Sequence, residues 1–117
     1  MRGELSDALI ELPWPAPCLS ANARVHWRRK SAATKIHREW AYFAALEARP
    51  KHPNGDIPVS VTFYPPNNRL DRANMPHLVK AYFDGIADAM KINDRRFLPS
   101  FHFAEPVKGG RVIVRIG

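Results

Sequence analysis

Cysteine, acid and long apolar runs are all scarce in this chain. Its one cysteine, Cys18, has no partner, so no internal disulfide forms and a reducing, cytoplasmic setting is expected. No apolar run approaches the roughly 18 residues of a membrane span. The first residues carry Glu4, Asp7 and Glu11 without an apolar h-region, so no secretory signal is expected. The histidines at 26, 37, 52, 77 and 102 show no HxxxH or Cys/His spacing, which argues against zinc. No G-x-x-x-x-G-K-[S/T] run exists to cradle a nucleotide. Acids number 11 against 18 Lys+Arg, a net charge of +7. That balance favours a polyanionic partner, most simply nucleic acid.

What is present fits one domain. The 117 residues are 45% hydrophobic and 25% charged, the mix of a globular protein. Eleven prolines set the boundaries. Residues 8–12 read as a strand, and 13–30 as a long loop opened by Pro13, Pro15 and Pro17. A first helix is expected over 31–48, capped by Ser31, with Ile36, Trp40, Phe43 and Ala44 as its buried stripe. Residues 57–64 alternate as a strand. A second helix is expected over 75–91, with Val79, Phe83, Ile86 and Met90 inward and His77, Lys80, Asp84, Asp88 and Lys91 on the opposite face. Residues 97–103 are ambiguous, a strand interrupted by Pro99. Residues 111–116 alternate cleanly as a last strand. This order predicts an α/β or α+β fold, a small mixed β-sheet flanked by two main helices.

Residues 69–96 carry the chemistry. Asp71 enters the second helix and Asp94 leaves it, among basic residues that include Arg69 and Arg72. Carboxylates beside a basic surface suit a hard cation such as Mg²⁺, which takes one or two carboxylates plus waters and substrate phosphate. Lys80 would add a positive charge for a phosphodiester. The plain alternative is a solvated loop acid at Asp71, a helix cap at Asn74, and ordinary i, i+4 neighbours at Lys80, Asp84 and Asp88. A helix of 75–91 spans about 25 Å, so its two ends meet only if the flanking loops fold back or a second subunit supplies one end.

From Arg24 to Arg38 there are six Lys/Arg, two His and no acid. Arg24, Arg28, Arg29 and Lys30 read as a phosphate-tracking surface. Trp27 among them either stacks on an unpaired base or packs in the core. Trp14, between two prolines, reads as a packed anchor. Cys18 reads equally as a buried apolar residue or a reactive thiol.

The chain resembles the RusA family of Holliday-junction resolvases. The resemblance opens at Leu12-Pro13-Trp14-Pro15 with Asn22 a few residues on. It continues through the acid-bearing loop, the Lys80-Ala81-x-x-Asp84 helix and the Asn93-Asp94 turn, and ends at the Gly-Gly-Arg strand of 109–116. It implies a Mg²⁺-dependent endodeoxyribonuclease, a homodimer, that cuts four-way DNA junctions in recombination and repair in a bacterial or prophage nucleoid. By position, Asp71, Asp94 and Asn74 are implied as metal ligands, Asp71, Lys80 and Asp94 as catalytic groups, and Asn22, Arg24, Trp27, Arg28, Arg29, Lys30, Arg69 and Arg72 as DNA contacts. Ala73 stands where the family pattern has a second loop aspartate, and Asn93 replaces the first acid of the turn. The lost acid leaves a second reading open, a catalytically inactive structure-specific DNA-binding protein of the same fold. A third is a small basic RNA-binding or ribonuclease domain, which leaves the ordered acids and Lys80 unexplained.

Overall fold

Alternating apolar and polar positions build the strands, and their inward residues build the core. The computed structural model describes residues 8–21, 23–51 and 54–117. Among them β1 (Ala8–Pro13), β2 (Ile57–Tyr64), β3 (Phe97–Phe103) and β4 (Arg111–Ile116) form one mixed sheet in the order β1-β4-β2-β3. β4 runs antiparallel to β1, with Ala8 opposite Ile116 and Pro13 opposite Arg111. It is also antiparallel to β2, with Val59 opposite Ile116 and Tyr64 opposite Arg111. β2 and β3 are parallel, Ile57 opposite Phe97, and the connection between them carries a helix as a parallel crossover requires. With α1 (Trp27–Ala48) and α2 (Lys80–Met90) this is an α+β fold. No helix of the described residues is long and apolar enough to cross a membrane.

Ile10 and Leu12, Val59, Val61 and Phe63, and Val112, Val114 and Ile116 meet Ala41, Ala45, Val79, Tyr82 and Ile86 in one buried cluster. Burying one such aliphatic side chain contributes about 1.5–3 kcal/mol. Residues 97–103 form a full strand, and Pro99 is tolerated because β3 lies at the edge of the sheet.

Three expectations are corrected. First, α1 begins at Trp27 and not at Ser31. His26 caps it, its Nδ1 accepting the Arg28 N–H at 3.1 Å, so much of the basic segment is helical and not loop. Within the remainder of 13–30, Pro17–Leu19 forms a 3₁₀ turn. Second, the buried side of α1 is His37, Ala41 and Ala45, while Ile36, Trp40 and Phe43 are 46%, 44% and 63% exposed. The cause is a close helix–helix contact. A Cβ at Gly85 of α2 would lie 2.2 Å from the Arg38 carbonyl oxygen, so only small residues of α1 fit there. Third, the expected second helix divides. Arg72–Val79 winds as a 3₁₀ segment and the α-helix starts only at Lys80. Pro76 offers no N–H for an α-helical bond and crowds the preceding turn, which favours the tighter winding.

Candidate functional site

The acids sort themselves by where the chain bends. At the start of the 3₁₀ segment Asp71 is the cap, its Oδ1 accepting the Ala73 N–H at 2.9 Å. The Asn74 N–H donates to the Asp71 carbonyl at 3.1 Å, so Asp71, and not Asn74, is the capping residue. The eight-residue 3₁₀ segment then separates Asp71 from Lys80 by roughly 18 Å at a rise of about 2 Å per residue. At the far end of α2 the chain turns back through a second 3₁₀ turn, Asp94–Arg96, capped by Asn93, whose Oδ1 accepts the Arg95 N–H at 2.9 Å. Asn93 therefore serves the backbone.

That turn brings Asp94 to Lys80. The Lys80 ammonium donates to Asp94 and, at 3.0 Å, to Asp84 Oδ1. The hydrogen bond with Asp94 raises the Lys80 pKa above its ordinary value, and the same bond lowers that of Asp94. Asp84 thus belongs to the cluster, and not to a merely solvated face. Asp88, one turn on, is held by Arg38 of α1 through Nε at 2.8 Å. Asp71 and Asp94, the pair on which the sequence placed most weight, line different hollows. Among the described residues no three His, Cys, Asp or Glu side chains converge as a metal-holding group.

The donor set still admits Mg²⁺ in its minimal form. Asp84 and Asp94 converge on one cation, the Lys80 ammonium, and Mg²⁺ asks for only one or two carboxylates when waters and phosphates complete its shell. Asn74 lies on the Asp71 hollow and is not part of this set.

Lys80 and Asp84 also line a hollow of about 430 Å³ whose far wall includes Lys30 and Thr34 of α1 and, beside Lys80, His77. Lys30 of the basic helix start thereby shares one groove with Lys80 and Asp84, while Asp94 lines an adjoining hollow with Asp84. Arg24, Arg28 and Arg29 are exposed, and they and Lys30 make no ion pair among the described residues. The first turn of α1 holds no acid, so three cations crowd the positive end of a helix dipole. A phosphate at that end relieves the conflict. Trp27 is 67% exposed, stacked on His26, with the Arg28 guanidinium 5.4 Å from its ring centre. The core reading of Trp27 is thereby set aside. Arg69 and Arg72 are exposed on either side of Asp71. Asn22 lies outside the described residues.

A second hollow, of about 420 Å³, was not legible as a site in the sequence. It draws together Trp14 and Pro17 of the first loop with Asn67, Asp71, Asn74 and Met75. The loop is pinned twice. Tyr82 Oη donates to the Pro13 carbonyl at 2.6 Å, and the Ala16 N–H donates to His37 Nε2 at 3.0 Å. Trp14 is set by an edge contact with Phe63 at 6.0 Å and by Gly110, where a Cβ would sit 3.0 Å from the Trp14 Cβ. Trp14 is an anchor, as expected, and also the wall of a hollow. The signal available in the sequence was the pair of Pro-rich and Asn-rich loops, but nothing in their spacing says that they meet.

The fold and site define an α+β domain with a cationic groove closed by a lysine–carboxylate cluster. No family model matches the chain. It is 41% identical over 122 residues to an uncharacterized protein of Xylella fastidiosa (strain Temecula1 / ATCC 700964), a similarity covering 99% of this chain and 80% of that one. The chain belongs to that protein's family.

Proposed function

We propose that the chain is a RusA-type, Mg²⁺-dependent endodeoxyribonuclease that resolves four-way DNA junctions as a homodimer in the cytoplasm, at the nucleoid. The observation that carries this reading is Lys80, held between Asp84 and Asp94 in a groove whose opposite wall is Lys30. Lys30 and the cations around it hold the sugar–phosphate backbone. Lys80 presents its charge to the scissile phosphate and stabilises the negative charge that builds there. Asp94 and Asp84 fix the Lys80 side chain and would hold Mg²⁺ with a water-filled remainder. Bound there, Mg²⁺ supplies charge neutralisation and a water of lowered pKa. Asp71 takes no part in this set and stays with its own hollow.

The exposed apolar face of α1 supports the dimer. Ile36, Trp40, Phe43 and Leu46 lie on one side of the helix with Glu39 and Glu47 among them and Lys35 at the border, so this face is apolar and carries no excess of positive charge to repel a second copy. A four-way junction is two-fold symmetric, and a C2 dimer offers one site to each of the two strands cut.

The test is cleavage of a labelled synthetic four-way junction with and without Mg²⁺. Wild type should give paired symmetric nicks only with the metal. Asp94→Asn and Lys80→Met should each slow them by about 10²–10³-fold. Junction binding without nicks in Mg²⁺ would instead establish the inactive binding protein. That second reading is favoured by Ala73 and by the separation of Asp71 from Asp94.

A further inference from the structure

The hollow walled by Trp14 has no role in the cluster at Lys80, yet it borders it. Leu78 lines both the Trp14 hollow and the Lys30–Lys80 groove. We propose that the Trp14 hollow is a nucleobase pocket, taking one unstacked base of a strand whose phosphate lies in the groove. This rests on the nucleic-acid reading above and adds to it a contact with a base.

Three observations carry the assignment. The hollow is apolar where a ring face would rest, on Trp14, Leu70, Met75 and Leu78, and polar where a ring edge would end, at Asp71 and Asn74. At about 420 Å³ it falls within the range of small-ligand sites, with room for one planar heterocycle and its sugar. The Asn74 amide is half-buried and offers both donors and an acceptor, while Asp71 spends Oδ1 on its own cap and keeps Oδ2 for a ligand. Ring-face stacking with amides and carboxylates at the edge is how unstacked bases are generally held.

The hollow is also pre-formed. Trp14 is fixed by Phe63, by Gly110 and by the two hydrogen bonds that pin its loop, so no rearrangement is needed before a base enters. Leu70, 41% exposed, stands at its lip between Arg69 and Arg72. An apolar residue between two cations suits a base flanked by two phosphates. Branch points are where a duplex gives up a base at least cost, since stacking is already interrupted there.

The experiment compares two single-stranded oligonucleotides of equal length by fluorescence anisotropy at one salt concentration. One carries bases and the other is abasic throughout. The wild-type chain should bind the first about tenfold more tightly. Asn74→Leu, which removes the edge amide, and Leu70→Ser, which removes its lip, should each erase that difference and leave abasic binding unchanged. Retained abasic binding shows that the variants fold. In a Trp27→Phe/Trp40→Phe chain the remaining indole should be quenched by the base-bearing strand and not by the abasic one. Equal binding of both strands by wild type would overturn the pocket while leaving backbone recognition intact. Binding of neither would overturn both readings, and a base preference that survives Asn74→Leu and Leu70→Ser would move the base contact elsewhere.

Discussion

The two long helices invite comparison, because the sequence assigns each an apolar stripe and the structure honours only one. On α2 the expected Val79, at its cap, and Ile86 are fully buried, with Phe83 and Met90 partly so. On α1 the expected Ile36, Trp40 and Phe43 face outward, Ala41 and Ala45 face in, and only Ala44 of the expected stripe packs partly against the core. The difference lies in the contact between them. Gly85 lets α2 approach the α1 backbone at Arg38 and Ala41 so closely that a bulky residue has no room. Periodicity reports that a helix has two faces, and residue size decides which one a tight neighbour accepts.

The comparison breaks most sharply at Gly85. Gly85→Ala places a methyl against a backbone carbonyl, an atom that cannot turn aside. We expect a loss of about 3 kcal/mol or more, read as a lower midpoint in urea unfolding.

A smaller effect is expected at His37, the polar member of the α1 inner face. Its Nε2 accepts the Ala16 N–H and its Nδ1 donates to the Ala33 carbonyl at 2.7 Å, an arrangement that needs the neutral ring. Burial lowers its pKa from the usual 6.5. A depressed histidine is neutral in the folded state where the unfolded chain would already be protonated. Its contribution is therefore complete above about pH 6.5 and declines as pH falls below that value. Urea midpoints measured across pH 5–8 should show this decline, and His37→Gln should flatten it.

The smallest stability effect is expected on the outer face. Phe43→Ser should change monomer stability by no more than about 0.5 kcal/mol. If this face forms the proposed dimer, sedimentation should nonetheless show a shift toward monomer. A large loss of stability there would mean that Phe43 packs within its own chain.

The strands were the legible part of this fold. Val112, Val114 and Ile116, like Val59, Val61 and Phe63, alternate with polar residues, and such alternation survives any neighbour. The cap of α1 was hidden, since His26 is not a usual capping residue and Ser31 is. Of the candidate site, Lys80 and Asp94 come together because the chain reverses after α2, a turn that Asn93 makes possible. Asp71 stays apart because Pro76 draws the intervening residues into an elongated 3₁₀ segment, and sequence spacing counts residues, not their rise. Asp84 reads in the sequence as an ordinary i, i+4 neighbour of Lys80, because a helical wheel shows a face and not the loop that returns Asp94 to it.

The strand order has a consequence for how the molecule is made. β4 is the last of the four strands to leave the ribosome, yet it lies between β1 and β2 and hydrogen-bonds both. Until it arrives, β1 has no neighbour in the sheet, and the ladder that closes it spans nearly the whole chain, from Ala8 to Ile116. Such long closures are slow and are completed together. Synthesis must therefore run past residue 116 before β1 can join the sheet, and a nascent chain stopped short of β4 would leave β1 and one edge of β2 unpaired and open to degradation.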